Sequence, residues 1–306
     1  MAHPTPIFER ERWRSLDGRW RFCVRGADTL ELPDSWEGDI RVPFCLQAPL
    51  SGALDSLPAA RLRELGLSRP PLAAPLRRGL FLWYHRRLPR LPAEWYGEDT
   101  RVILHIGACD SVADVAVNGV WFPQHVGGST RFEADVTQAL RGAAPGAGPA
   151  TLHVRCADRL PDDGGLQPCG KQLHPRGYVG HGPHLPTLYS NVTGIWQHVW
   201  LEAVSARARL ASVKVVPRHD EGEDQWSLEI DAILPKGCSR SGLRFAATLL
   251  ASRSPGGEEL LSKSVALGAG ERRLRLRVPR ALARRWSPEE PHLYGLRLEL
   301  LVGREA

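Results

Sequence analysis

The chain has one methionine, two asparagines and no pair of cysteines spaced C-x-x-C among its 306 residues. A single Met argues against a flexible, Met-lined recognition groove. Six scattered cysteines, none in a C-x-x-C pair, are enough for three bridges, but nothing else marks the chain as secreted. No stretch approaches the ~20 apolar residues of a membrane-spanning helix, and the opening MAHPTPIFERERWRS carries charge where a signal peptide needs an apolar core. A reduced, cytoplasmic protein with no membrane partner is therefore expected. The net charge is +6, but acids interleave with the bases and no run of five basic residues occurs. Nucleic acid is not the expected partner. No phosphate loop, dinucleotide fingerprint or G-x-S-x-G elbow is present.

What is present is a strand alphabet. Over 101–140, Val102, Leu104 and Ile106 share one face while Ile103 and His105 share the other, the period of a β-strand. Val115 and Val117 lead into Asn118-Gly119, a pair suited to the left-handed backbone of a tight hairpin, and Val120-Trp121-Phe122 follow. Trp13, Leu16, Asp17-Gly18, Trp20 and Phe22 form an earlier strand with a turn. Ile40 to Phe44 reads as a short edge strand stopped by Pro43, and Leu57 to Leu67 as a brief helix opening at Pro58. Beyond about Ser205, six short alternating runs in ~100 residues argue a second β-sandwich.

Several of these stretches share a resemblance. Gly107-Ala108-x-Asp110, Ala113-Asp114-Val115-x-Val117-Asn118-Gly119, His125-x-Gly127-Gly128, Phe132 and Asp135-Val136-Thr137 resemble the core signature of the N-terminal sugar-binding domain of glycoside hydrolase family 2, the β-galactosidase and β-glucuronidase family. Gly194-Ile195-Trp196-Gln197 followed by Val199-Trp200-Leu201-Glu202 is similar to that family's "GIWQ-x-VWLE" strand. Trp286 to Tyr294 resembles the entry to the last hairpin of its second domain. The resemblance implies an all-β chain: a jelly-roll-like, galactose-binding type of sandwich over 1–205, then an immunoglobulin-like sandwich over 206–306 that is expected to be incomplete.

It also implies which part of the enzyme this is. In the family, two glutamates in a following (β/α)8 barrel do the chemistry, and the acid/base sits in an Asn-Glu dipeptide. Here Asn118 and Asn191 precede Gly and Val, and no βα alternation follows the sandwiches. The chain is expected to be the non-catalytic part of a β-glycosidase, with no catalytic residue, no cofactor and no turnover alone. Its roles would be shaping the substrate mouth and holding oligomer contacts. The alternative is a stand-alone carbohydrate-binding protein, and a third is an adaptor that has lost sugar binding.

The expected carbohydrate contacts are Tyr189, Lys171, Gln172 and His125, because sugars are held by ring stacking and a few fixed hydrogen bonds. Where relatives carry a sugar-touching Asp or Trp, six residues before Gly194, this chain has Leu188. Asp110 is expected to hold a turn, and Trp196 and Trp200 to serve core or inter-domain packing. No metal is expected: His174, His181 and His184 lie in a polar loop without a fixed third ligand, and Asp162-Asp163 are neighbours that splay apart.

Overall fold

A computed structural model describes residues 2–26, 29–67, 76, 79–142, 148–158, 192–236, 238, 241–253, 256–268 and 272–302. The chain divides into two compact units, Met1–Ala203 and Val204–Ala306. Both are built from antiparallel β-sheets.

The first unit contains β1 (Trp13–Ser15), β2 (Gly18–Arg25), β3 (Gly38–Val42), β4 (Phe81–Arg87), β5 (Thr100–Ile106), β6 (Cys109–Asp110), β7 (Val112–Val117), β8 (Val120–Trp121), β9 (His125–Val126), β10 (Phe132–Asp135), β11 (Thr151–Ala157), β12 (Gly194–Ile195) and β13 (Val199–Ser205). They form a four-stranded sheet, β1-β13-β5-β10, and a seven-stranded sheet, β3-β2-β4-β11-β7-β8, in which β9 also pairs with β7; β12 pairs with β6. Period-two alternation decides what lies between the sheets. From the four-stranded sheet come Val102, Leu104, Ile106, Val199 and Leu201; from the other come Trp20, Phe22, Leu82, Tyr84, Val115, Val117, Leu152 and Val154. Trp20 meets Tyr84 edge to face with ring centres 6.2 Å apart, an arrangement that adds to simple area burial.

The expected hairpin is present at β7–β8. Asn118 and Gly119 hold φ of 49° and 79°, the two positive values a type I′ turn requires. β3 is an edge strand that ends before Pro43. A helix over Ala59–Leu65 starts after Pro58 and buries Leu62 and Leu65. The segment that follows it, 68–75, lies outside the described residues.

The outer faces of both sheets also carry structure. On the seven-stranded sheet, Cys23, Phe81 and Trp83 form a second apolar cluster against which Trp36 and Trp121 pack. There the buried Arg155 pairs with Asp114 through Nε and an NH2 nitrogen, both at 2.9 Å, and its guanidinium lies 4.6 Å from the Phe81 ring centre. On the four-stranded sheet, His105 stacks on Trp200, ring centres 4.8 Å apart, and His3 approaches the same indole edge-on.

The second unit contains β14 (Ser212–Asp220), β15 (Gln225–Ile233), β16 (Leu243–Leu250), β17 (Glu259–Ala266), β18 (Arg273–Val278) and β19 (Gly295–Val302). Two three-stranded sheets result, β14-β15-β18 and β17-β16-β19. Ile230, Ala232, Leu274 and Leu276 from the first, and Leu243, Phe245, Ala247 and Leu249 from the second, are its buried side chains.

Candidate functional site

The residues of the 107–128 and 194–197 motifs meet at one end of the first unit. The strand pair β6–β12 brings Gly194 opposite Asp110 and Ile195 opposite Cys109. Gly194 is required there: its φ is +95°, and a Cβ would fall 2.1 Å from the Tyr84 hydroxyl. That hydroxyl accepts the Ile195 N–H at 3.0 Å, which anchors the strand to the sandwich core. Immediately before it, Thr193 is wholly buried. Its hydroxyl donates to Asp158 (2.9 Å) and accepts from the Gln47 amide (2.9 Å), while its N–H donates to the Gln47 carbonyl. This network ties β11's end to the start of β12.

On that base stand three side chains: Trp196, Asp110 and His125. Trp196 is 37% exposed and is fixed at both ends: its backbone N–H donates to the Ala108 carbonyl, and its indole Nε1 donates to the Gly128 carbonyl at 2.7 Å. The Asp110 carboxyl lies directly against Gly128, where a Cβ would meet its oxygen at 2.5 Å. The Gly127 N–H is held by the Ser111 carbonyl. His125 stacks on Phe132 at 4.1 Å, and its Nε2 sits 3.0 Å from the Gly127 carbonyl. The Gly127-Gly128 pair therefore lets one loop receive an indole, a carboxyl and an imidazole together.

Burial, reinforced by the nearby negative charge of Asp158, pushes the Asp110 carboxyl up to about 7. Near neutral pH it is partly protonated and can donate as well as accept, which suits a hydroxyl-bearing ligand. A partly exposed indole on the same glycine pair as a carboxyl and an imidazole offers stacking plus directional hydrogen bonding. Asp158 is committed inward by its bond to Thr193. Among the described residues no group of three His, Cys, Asp or Glu side chains could hold a metal ion.

Of the expected contacts, His125 takes part in this cluster. Tyr189, Lys171 and Gln172 lie outside the described residues, as do Leu188 and the 174–184 histidines. The sequence pattern leaves core and inter-domain packing open for both Trp196 and Trp200. Trp200 is 1% exposed and buried, whereas Trp196 is half-exposed because its indole is captured by the Gly128 carbonyl. The Gly127-Gly128 doublet was the available signal for that close approach.

No family model matches the chain. It is 40% identical to the β-glucuronidase of Chlorocebus aethiops over 165 residues, which is 51% of this chain and 22% of that protein. It is 29% identical to the β-glucuronidase of Canis lupus familiaris over 208 residues, 66% of this chain and 30% of that protein. Among solved structures, the Bifidobacterium dentium β-glucuronidase complexed with coumarin-3-O-glucuronide superposes with a TM-score of 0.64 at 20% identity, covering 98% of this chain and 47% of that one. The chain thus spans less than a third of either curated relative and less than half of the solved one. It is homologous to β-glucuronidases over part of their length, and it shares the fold of the corresponding region of the bacterial enzyme.

Proposed function

We propose that this chain is the non-catalytic part of a family 2 β-glycosidase acting on a β-glycoside, with the jelly-roll-like first unit lending residues to the substrate mouth. The second, immunoglobulin-like unit would join it to the barrel that carries out hydrolysis and support contacts between copies. Trp196 is the observation that carries this reading: an indole half-open to solvent, locked by its Nε1, beside Asp110 and His125. A core tryptophan would be closed over, and a mobile surface tryptophan would not be held at both ends. In this reading the Trp196 face stacks on a sugar ring, while Asp110 and His125 hydrogen-bond its hydroxyls. Tyr189, Lys171 and Gln172 would extend the same rim.

The test has two arms. The isolated chain is assayed against a panel of nitrophenyl β-glycosides, where no turnover is expected; a rate that co-purifies with the chain and disappears in Asp110→Asn would contradict the non-catalytic assignment. The intact mass of the polypeptide in its own cell is then measured. A mass far above 33.8 kDa supports the hydrolase reading, and a mass near it supports a stand-alone carbohydrate-binding protein that uses the same rim.

A further inference from the structure

The outer face of the β14-β15-β18 sheet in the second unit is organised by charge. Its register sets three rows across the strands: Lys214–Asp231–Arg273, Val216–Glu229–Arg275 and Arg218–Ser227–Arg277. Leu274, Leu276 and Val278 point to the core, so the three arginines of β18 share the outward face, about 7 Å apart along the strand. The central carboxylates are spent within the sheet. Asp231 takes Arg273 in a two-pronged pair at 2.6 and 3.0 Å, and Glu229 takes Arg218 at 3.4 Å. The third row has no carboxylate at all. Arg275 Nε donates to the buried Ser227 hydroxyl at 3.1 Å, which leaves its terminal nitrogens available, and Arg277 has no ion-pair partner among the described residues. Lys263 of β17 adds a further cation by donating to the Arg275 carbonyl at 3.0 Å.

We infer that this arginine row is a binding surface for a linear sulfated polysaccharide lying along β18. The row is straight, evenly spaced and positive at its Arg275–Arg277 end. Guanidinium groups match sulfate and carboxylate in geometry and are cheaply desolvated. None of the side chains in the three rows is aromatic, so the stacking platform that single-stranded nucleic acid requires is absent from this face. Among the described residues no helix or ribbon projects from it to enter a duplex groove. A stiff chain that repeats anionic groups and has no bases to stack fits it best. This surface lies in the second unit and is independent of the Trp196 rim.

The experiment is retention and titration of the full chain on heparin. Arg275→Gln/Arg277→Gln should elute at lower salt and bind about tenfold more weakly, while Arg275→Lys/Arg277→Lys should lose less. Arg63→Gln/Arg90→Gln, an equal loss of charge on exposed positions of the first unit, should elute with the unchanged protein. All these side chains are exposed, so every variant should stay folded, with at most a small fall in thermal midpoint where Arg275 no longer donates to Ser227. Equal weakening in both glutamine variants would overturn the inference, as would failure of the unchanged chain to bind heparin. Tighter binding to single-stranded DNA than to heparin would replace it with a nucleic-acid surface.

Discussion

The carboxylate of Glu202 accepts the indole N–H of Trp200, two residues earlier on the same face of β13, at 2.8 Å. Around that pair gather Arg10 at 2.7 Å, His105 at 3.2 Å and His3 at 3.5 Å. Glu202 is 4% exposed, so this is a buried charge that survives only because it is surrounded. His105 turns Nε2 to Glu202 and Nδ1 to Glu133, the latter at 3.6 Å, and neither nitrogen makes a well-angled hydrogen bond.

Removing that carboxylate should therefore be costly. Glu202→Ala leaves Arg10 and the Trp200 N–H without their acceptor, and a loss of about 3 kcal/mol is expected from denaturant unfolding. Burial alone would raise the Glu202 pKa; His105, Trp200 and Arg10 overcome it and hold it at about 2. Its contribution is then fully present above about pH 4.5 and lost as pH falls toward 2. Glu202→Gln should show a flatter stability curve across that window. A parallel curve would remove Glu202 from the account of acid stability.

A second acid-sensitive pair sits on the other sheet. His85 Nδ1 and His153 Nε2 are 2.9 Å apart beneath the Trp36 ring. Burial, then the neighbouring His85, pulls His153 down to about 4. Because the unfolded chain takes up the proton first, stability should fall as pH drops from about 6.5 toward 4. His153→Phe should abolish that part of the slope while Glu202→Gln leaves it intact. Urea midpoints at pH 7 and pH 5 separate the two.

Gly194 and Tyr84 form the tightest backbone constraint of the site. Gly194→Ala adds a methyl at 2.1 Å from the Tyr84 oxygen and at φ +95°; a loss of at least about 3 kcal/mol is expected. Tyr84→Phe keeps the shape but leaves the buried Ile195 N–H without its acceptor, for about 1–3 kcal/mol. If Gly194→Ala unfolds at the same temperature as the unchanged protein, the strand pair β6–β12 is not anchored as described.

Much of the first unit was legible because its signals are local. Val102, Leu104 and Ile106 alternate, Asn118-Gly119 dictates a turn, and Pro58 opens a helix; each depends on neighbours a few residues away. The Trp196 environment was not legible by the same route. An indole in an alternating strand reads as core, and what keeps it outside is a carbonyl 68 positions earlier. The Glu202 cluster was hidden similarly, since His3, His105 and Glu202 meet only once β1, β13 and β5 are neighbours. Long-range pairing, rather than propensity, decides both. In the second unit the alternation of Leu274 and Leu276 with Arg273, Arg275 and Arg277 could be read directly. Which carboxylates neutralise those arginines needed the register.

The central claim is that Trp196, Asp110 and His125 face a sugar, and calorimetric titration of the chain with a methyl β-glycoside series, glucuronide included, tests it most directly. Saturable heat is predicted for at least one sugar, lost in Trp196→Ala at an unchanged thermal midpoint, because the substituted side chain is half-exposed and outside the core. Identical titrations for the two proteins, or no heat from the unchanged chain with any of the sugars, would contradict it.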